Sequence, residues 1–220
     1  MDLNKSLEYF NPDDFPQPVN IIGCGAVGSQ LAVLLARLGV KDFVLWDTDT
    51  VSTHNIANQN FTFYDVGKPK TDCVSRTILS INPEASVQIR NEFWTAETYP
   101  TGGCIITCVD SIAARKEICK SLTWHAKYIP VFDFRMGLTS GQFLAILYDY
   151  DWWMSVSNFT DEEADMYTPK SACNFELSVA YSIWALLGYG VSTMVKYFTS
   201  KDAQIPKLTV VDMSGGITTI

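Results

Sequence analysis

The sequence holds no C-x-x-C pair, although it has six cysteines: Cys24, Cys73, Cys104, Cys108, Cys119 and Cys173. That argues against a zinc ribbon and a thioredoxin-type dithiol, and free thiols in a cytoplasmic protein are the simplest reading. There is no run of Lys or Arg, and the net charge is −8. Nucleic-acid binders present a basic face, so nucleic acid is not the expected partner. The two histidines, His54 and His125, have no companions that would make a metal site or a triad. The opening residues, MDLNKSLEYFNPDDFP, lack the basic start and apolar run of a secretory leader. Repeats and low-complexity segments are absent too.

One stretch, Leu177 to Val195, lacks charge altogether. Ser178, Tyr181, Ser182, Gly188, Tyr189, Gly190, Ser192 and Thr193 interrupt its apolar character. A helix buried in the protein or at a subunit contact is expected there, not a membrane span. What is present is globular in kind, with 47% apolar and 18% charged residues. The 220 residues suit one domain with a sizeable core.

Short apolar runs alternate with helical patterns. Strands are expected at 18–23, 43–47, 86–90, 103–109 and 128–134. Helices are expected from Ala26 to Leu38, Pro69 to Ile81 and Ser111 to Trp124, the first stopped by Gly39 and the second before Asn82-Pro83. This alternation implies crossover units: a mostly parallel α/β sheet of Rossmann-like type, flanked by helices. After Gly141 the pattern changes. A strand at 142–148 precedes a long polar and aromatic connection, Asp149 to Ala172, then the uncharged helix and a last strand at Leu208–Val211.

The first strand runs into G-C-G-A-V-G and a helix, with Gly23, Gly25 and Gly28 at the spacing of a phosphate loop. The first glycine permits the turn, the second the approach of a phosphate, and the third close helix–strand packing. The helix start offers free N–H groups and a partial positive charge. Asp47 follows Gly23 by 24 residues at the end of the second strand, where a carboxylate can accept from ribose hydroxyls. These features leave NAD and ATP both open, and Asp47 also suits a simple turn cap.

Three further segments bear on that choice: D-T-D-T-V-S-T-H-N-I-A-N-Q, then D-V-G-K-P-K, then C-V-D-S-I-A-A-R. With the glycine loop they resemble the ThiF/MoeB/HesA family, which includes the adenylation domains of ubiquitin-activating enzymes. The resemblance runs from about residue 18 to 135 and thins beyond, where D-F-R-M-G and a lone cysteine are similar to bacterial and phage-associated members. It implies ATP with Mg²⁺, and adenylation of the C-terminal carboxylate of a small ubiquitin-like or sulfur-carrier protein, or of a peptide, by a homodimer or half of a heterodimer. Gly23, Gly25, Ala26, Gly28, Asp47, Asp49, Asn55, Asn58, Gln59 and Lys70 would then surround the nucleotide. Lys70 would neutralise the polyphosphate, and Asp110 would hold Mg²⁺, which needs only one or two carboxylates. The residues alone leave a solvated Lys70, an Asp110 that caps the following helix, and a structural Arg115.

The pattern has departures. Asn58 stands where the family has Arg, so a replacement cation is expected from Arg135, from Lys68, or from a second subunit. Cys173 is read as opening a helix, which would favour its thiolate as an acyl acceptor. The 149–172 connection, with Trp152, Trp153, Phe159 and Tyr167 and acids at Asp161, Glu162, Glu163 and Asp165, is expected to cross above the nucleotide and receive the acceptor's tail. A non-catalytic partner subunit and an NAD-dependent oxidoreductase are the competing readings; against the latter, no Tyr-x-x-x-Lys or catalytic histidine stands out.

Overall fold

A computed structural model describes residues 1–99, 102–125, 128–170, 177–200 and 202–220, without the side chains of residues 124, 125 and 167. Its strands are β1 (Val19–Ile22), β2 (Asp42–Trp46), β3 (Ser86–Arg90), β4 (Cys104–Thr107), β5 (Val131–Met136), β6 (Ser140–Ile146), β7 (Leu208–Asp212) and β8 (Gly216–Thr219). Its α-helices are α1 (Ala26–Arg37), α2 (Lys70–Ile81), α3 (Ile112–His125), α4 (Tyr150–Ser155), α5 (Asp161–Tyr167) and α6 (Ala180–Thr199).

One eight-stranded sheet has the order β3-β2-β1-β4-β5-β6-β7-β8. The first five strands pair in parallel and the last four are antiparallel, β5 being shared. Every residue of β1 and β4 is buried, as expected of parallel strands covered on both faces. Helices α1, α2 and α6 cover one face through Leu31, Leu35, Ile78, Leu186 and Met194, packed on Phe43, Leu45, Phe134 and Phe143. On the other face Ile118 and Leu122 of α3 and Trp153 of α4 meet Val44, Trp46, Ile105 and Val131. The chain departs from β1 toward β2 on one side and reaches β4 on the other. A crevice therefore opens at the carboxyl ends of these strands, the usual ligand site of such sheets.

Three expectations need correction. Residues 149–172 are not one irregular connection, because they contain α4 and α5. Asp149 caps α4 by accepting from Trp152 N at 3.1 Å, and Thr160 and Glu163 form a capping box on α5, a T-x-x-E signal present in the sequence. Helix α6 begins only at Ala180. Cys173 lies outside the described residues. A hairpin adds β8 after β7, with a turn in which Asp212 Oδ1 accepts from Ser214 N and Gly215 N. No helix of the described residues is long and apolar enough to cross a membrane.

Candidate nucleotide site

The glycine loop is shaped by close approach. Gly23 has φ +92°, and a side chain there would press on Cys108 O at 2.8 Å. A Cβ on Gly28 would lie 1.8 Å from Gly23 O, so α1 can start hard against β1 only with glycine at that position. A Cβ on Gly25 would meet nothing within 4 Å: the space above the loop is open. Ala26 begins α1 with no side-chain cap on its first turn, which leaves backbone N–H groups for an anion.

Asp47 closes the loop from the β2 side. Its Oδ2 accepts from Cys24 N at 2.7 Å and its Oδ1 from Asp49 N at 2.8 Å. Burial raises its pKa, an effect those two N–H bonds and Lys70 partly offset. Residues 49–51 pair back on 67–70, with Thr50 bridging Pro69 and Val51 N bonding Lys68 O. That hairpin-like contact sets Lys70 at the start of α2. Lys70 is 7% exposed, and its Nζ sits 2.7 Å from Asp49 Oδ2, so it is not the solvated lysine the sequence left open.

Asn55 is buried, and its Oδ1 accepts from Ser52 N and Ser52 Oγ. Asn58 O accepts from Gln30 Nε2 at 2.9 Å. Asn58 Oδ1 and Gln59 Oε1 are buried without a partner among the described residues; orphaned polar atoms of this kind need a ligand, a water or an ion to account for them. Beside them lies an open cleft of about 530 Å³, lined by Gln59, Asn60, Lys68 and Arg76 among others.

Asp110 follows β4 and stands exposed beside the loop, since Cys108 N bonds Ile22 O at 2.8 Å. It does not cap α3. That helix is capped by Ser111 Oγ, which accepts from Ala114 N, and by Asp161 of α5, which accepts from Ile112 N at 2.5 Å and Ala113 N at 3.3 Å. Three of the four acids of α5 are therefore engaged within the fold: Asp161 on α3, Glu163 in its own cap, and Asp165 on Lys170 at 2.6 Å. Helix α4 packs on α3 on one face of the sheet.

Arg135, named as a replacement cation for the phosphates, is already engaged within the fold. Its Nε lies 2.8 Å from Asp133 Oδ2, Nη1 donates to Val156 O at 3.1 Å, and Nη2 to Ser157 Oγ at 2.6 Å. Asp133 is fully buried and also accepts from Arg115 Nη1, from Thr107 Oγ1 at 2.7 Å and from Trp153 Nε1 at 2.9 Å. Burial pushes Arg115 down to about 9 and Arg135 to about 10, which leaves both as cations at neutral pH. Lys68, by contrast, is exposed at the cleft beside Gln59. The sequence did hold a signal for this node: a lone Asp within the apolar run V-F-D-F of β5 has to be paired.

The five described cysteines are free, and burial raises the thiol pKa at each, to about 12 at Cys108 and about 11 at Cys119. None is set up as a thiolate nucleophile. Among the described residues no three His, Cys, Asp or Glu side chains gather to hold a metal unaided.

A glycine cradle, a carboxylate at the end of β2 and an open crevice at the switch point of a parallel sheet define a Rossmann-type domain. The chain belongs to the ThiF family, whose model matches residues 16–211. It is 42% identical over 82 residues to the tRNA threonylcarbamoyladenosine dehydratase of Bacillus subtilis, a match covering 37% of this chain and 32% of that protein. It is 31% identical over 105 residues to the sulfur carrier protein ThiS adenylyltransferase of Escherichia coli, covering 46% and 42%. To ubiquitin-like modifier-activating enzyme 5 of Rattus norvegicus it is 32% identical over 127 residues, covering 48% and 32%. The matched part is thus less than half of each relative. Among solved structures, PaaA superposes with a TM-score of 0.72 at 22% identity, over 95% of this chain and 66% of that one. MccB of E. coli with ATP gives 0.68 at 18%, over 95% and 65%; both share the fold.

Proposed function

We propose that this chain is an ATP-dependent adenylating domain that activates the C-terminal carboxylate of a small protein or peptide. One observation carries this reading: Asp47 binds the glycine loop at Cys24 N, Lys70 is buried against Asp49, two residues after Asp47, and exposed Asp110 follows β4 beside the same loop, all at one end of the sheet. Support comes from the ThiS adenylyltransferase among the relatives and from MccB, whose structures carry ATP and the peptide MccA.

Asp47 would accept from the ribose hydroxyls. The uncapped first turn of α1 and Lys70 would hold the phosphates, their charge balanced at low cost because Lys70 is already buried beside Asp49. Asp110 fits a Mg²⁺ that arrives with the nucleotide, since it is exposed and the described residues offer no complete metal cluster around it. Mg²⁺ would supply charge neutralisation at the phosphates. An acceptor carboxylate oxygen then attacks the α-phosphorus as its bond to the pyrophosphate oxygen breaks, giving an acyl adenylate and pyrophosphate. Positioning and charge stabilisation carry most of such a step.

The finer identity of the acceptor, a ubiquitin-like or sulfur-carrier protein rather than a peptide, follows the relatives' names and stays part of this proposal. So does transfer to Cys173, and so does dimerisation, which the exposed Tyr181 and Trp184 on α6 support. Pyrophosphate exchange into ATP, measured with candidate carriers and peptide C-termini, tests the reading. It fails if no carboxylate supports exchange and NADH, not Mg·ATP, raises the melting temperature. Asn58 favours a second reading, a half-catalytic subunit. In that case exchange would appear only after a second ThiF-type chain is added.

A further inference from the structure

We propose that Arg115 and Asp133 are the positioning pair for the Asp110 carboxylate, an inference that rests on the adenylation reading. Asp110 is exposed, and no described side chain within hydrogen-bonding reach binds it. The helix after it is capped by Ser111 and Asp161, so the cap does not fix Asp110 either. What fixes it lies behind. Arg115 Nη2 donates to Val109 O, the carbonyl of the peptide plane that leads into Asp110, and to Phe134 O at 3.2 Å. Its Nη1 is on Asp133. Asp133 in turn is held by Thr107 at the end of β4, by Trp153 of α4 and by Arg135.

This chain of contacts ties three backbone segments to one buried carboxylate: the end of β4, the strand β5 and the plane before Asp110. Arg suits the task and Lys does not, because the planar fork reaches Asp133 and two carbonyls at once. Arg115 is 3% exposed and Asp133 0%, so their geometry is set by packing and not averaged by solvent. The second guanidinium, Arg135, leaves the node with an excess positive charge behind Asp110. That charge opposes a bare metal ion and makes the orientation of the carboxylate count for more.

The test uses the full chain with Mn²⁺ in place of Mg²⁺. Two quantities are read: the Mn²⁺ concentration for half-maximal binding of a fluorescent non-hydrolysable ATP analogue, and the Mn²⁺ resonance spectrum. Arg115→Lys should raise the half-saturating metal concentration by about tenfold to a hundredfold, the range typical of outer partners of metal ligands. Analogue affinity at saturating metal should change far less. Thr107→Val, a milder cut, should shift the metal requirement in the same direction by a few-fold and keeps the proposal testable if Arg115→Lys does not fold. Trp94→Phe is the control. It removes an equally buried indole bond, to Ser121 at 2.7 Å, without touching Asp133, and should leave the metal requirement unchanged. The pair is merely structural if Arg115→Lys or Thr107→Val melts earlier yet needs no more metal, or if Trp94→Phe shifts the requirement equally. If the wild type binds the analogue with no metal dependence, the Asp110 assignment itself fails, and the positioning proposal with it.

Discussion

Two polar clusters lie a few residues apart on this sheet and are finished differently. At the Asp133 node each oxygen of the carboxylate is taken, and Thr107, Arg115 and Trp153 are buried with it, Arg115 Nε alone lacking a partner among the described residues. At the crevice, Asp110 is exposed, Asn58 Oδ1 and Gln59 Oε1 lack partners among the described residues, and the space over Gly25 is open. Burying a polar group costs free energy unless it is paired. A buried carboxylate saturated at one place and an exposed one left open at the next is a contrast that supports reading the crevice as the side where something else binds. Each cluster is built around an Asp, and the partners tell the two apart.

The sharpest way to break the comparison is Asp110→Asn. If the crevice is the working side, pyrophosphate exchange should fall by about 10²–10³-fold, while the melting temperature stays within a degree or two of wild type. A large drop in stability would place Asp110 with the saturated cluster. Arg135→Ala should do the reverse. Losing charge-assisted bonds to Asp133 and Ser157 should cost about 2 kcal/mol of stability, lowering the melting temperature by about 4–8 °C for a chain of this size.

Removing the carboxylate in Asp161→Ala strips a cap from α3, worth about 1 kcal/mol. Denaturant midpoints should register that loss without a change in the slope of the transition. Lys68→Ala is the smallest: no loss of stability, and a few-fold weaker ATP affinity that fades at high salt, as befits an exposed cation. A larger effect from Lys68 than from Arg135 on ATP affinity would confirm that the cation replacing the family arginine comes from the loop. Equal and negligible effects would point to a partner subunit.

Asp47 sharpens the comparison through pH. Burial first, against two N–H bonds, holds its carboxyl above the ordinary value. As pH falls through that raised value, the native state takes up a proton before the unfolded chain does, so the ligand-free protein gains stability from this group. Nucleotide binding, which needs the ionised acceptor, weakens over the same interval. Opposite slopes for stability and for affinity, both absent in Asp47→Asn, are the expected result of titrations just above the ordinary carboxylate range. Parallel slopes would remove Asp47 from the ribose.

The parallel half of the fold was legible because its signals are local and repeated. The glycine loop, the Gly39 stop and the Pro-bounded α2 each agree with the alternation around them. The candidate residues from Gly23 to Lys70 could be named for the same reason, as spaced motifs, while their roles belong to the proposed function. What escaped has one physical origin, the pairing of residues distant in sequence. The Val156 and Ser157 partners of Arg135, the capping of α3 by Asp161 and the burial of Trp153 depend on contacts across 20 residues or more, which no spacing rule reads. The α5 capping box was there to be seen in T-D-E-E, but the polar composition around it argued for a loop.

The aromatic pair beneath the crevice has a practical consequence. Trp46 and Trp94 meet edge to face, ring centroids 4.9 Å apart, with the Arg90 guanidinium 5.7 Å over Trp46, and Trp46 directly precedes Asp47. Two indoles this close couple their electronic transitions, and the neighbouring cation makes their emission sensitive to nearby charge. A polyphosphate arriving at Asp47 would alter that field, so the near-ultraviolet circular dichroism and the emission of the untagged protein become an optical gauge of occupancy. Trp184 is 64% exposed, and iodide can quench its light, leaving the buried indoles of Trp46, Trp94 and Trp153 to report.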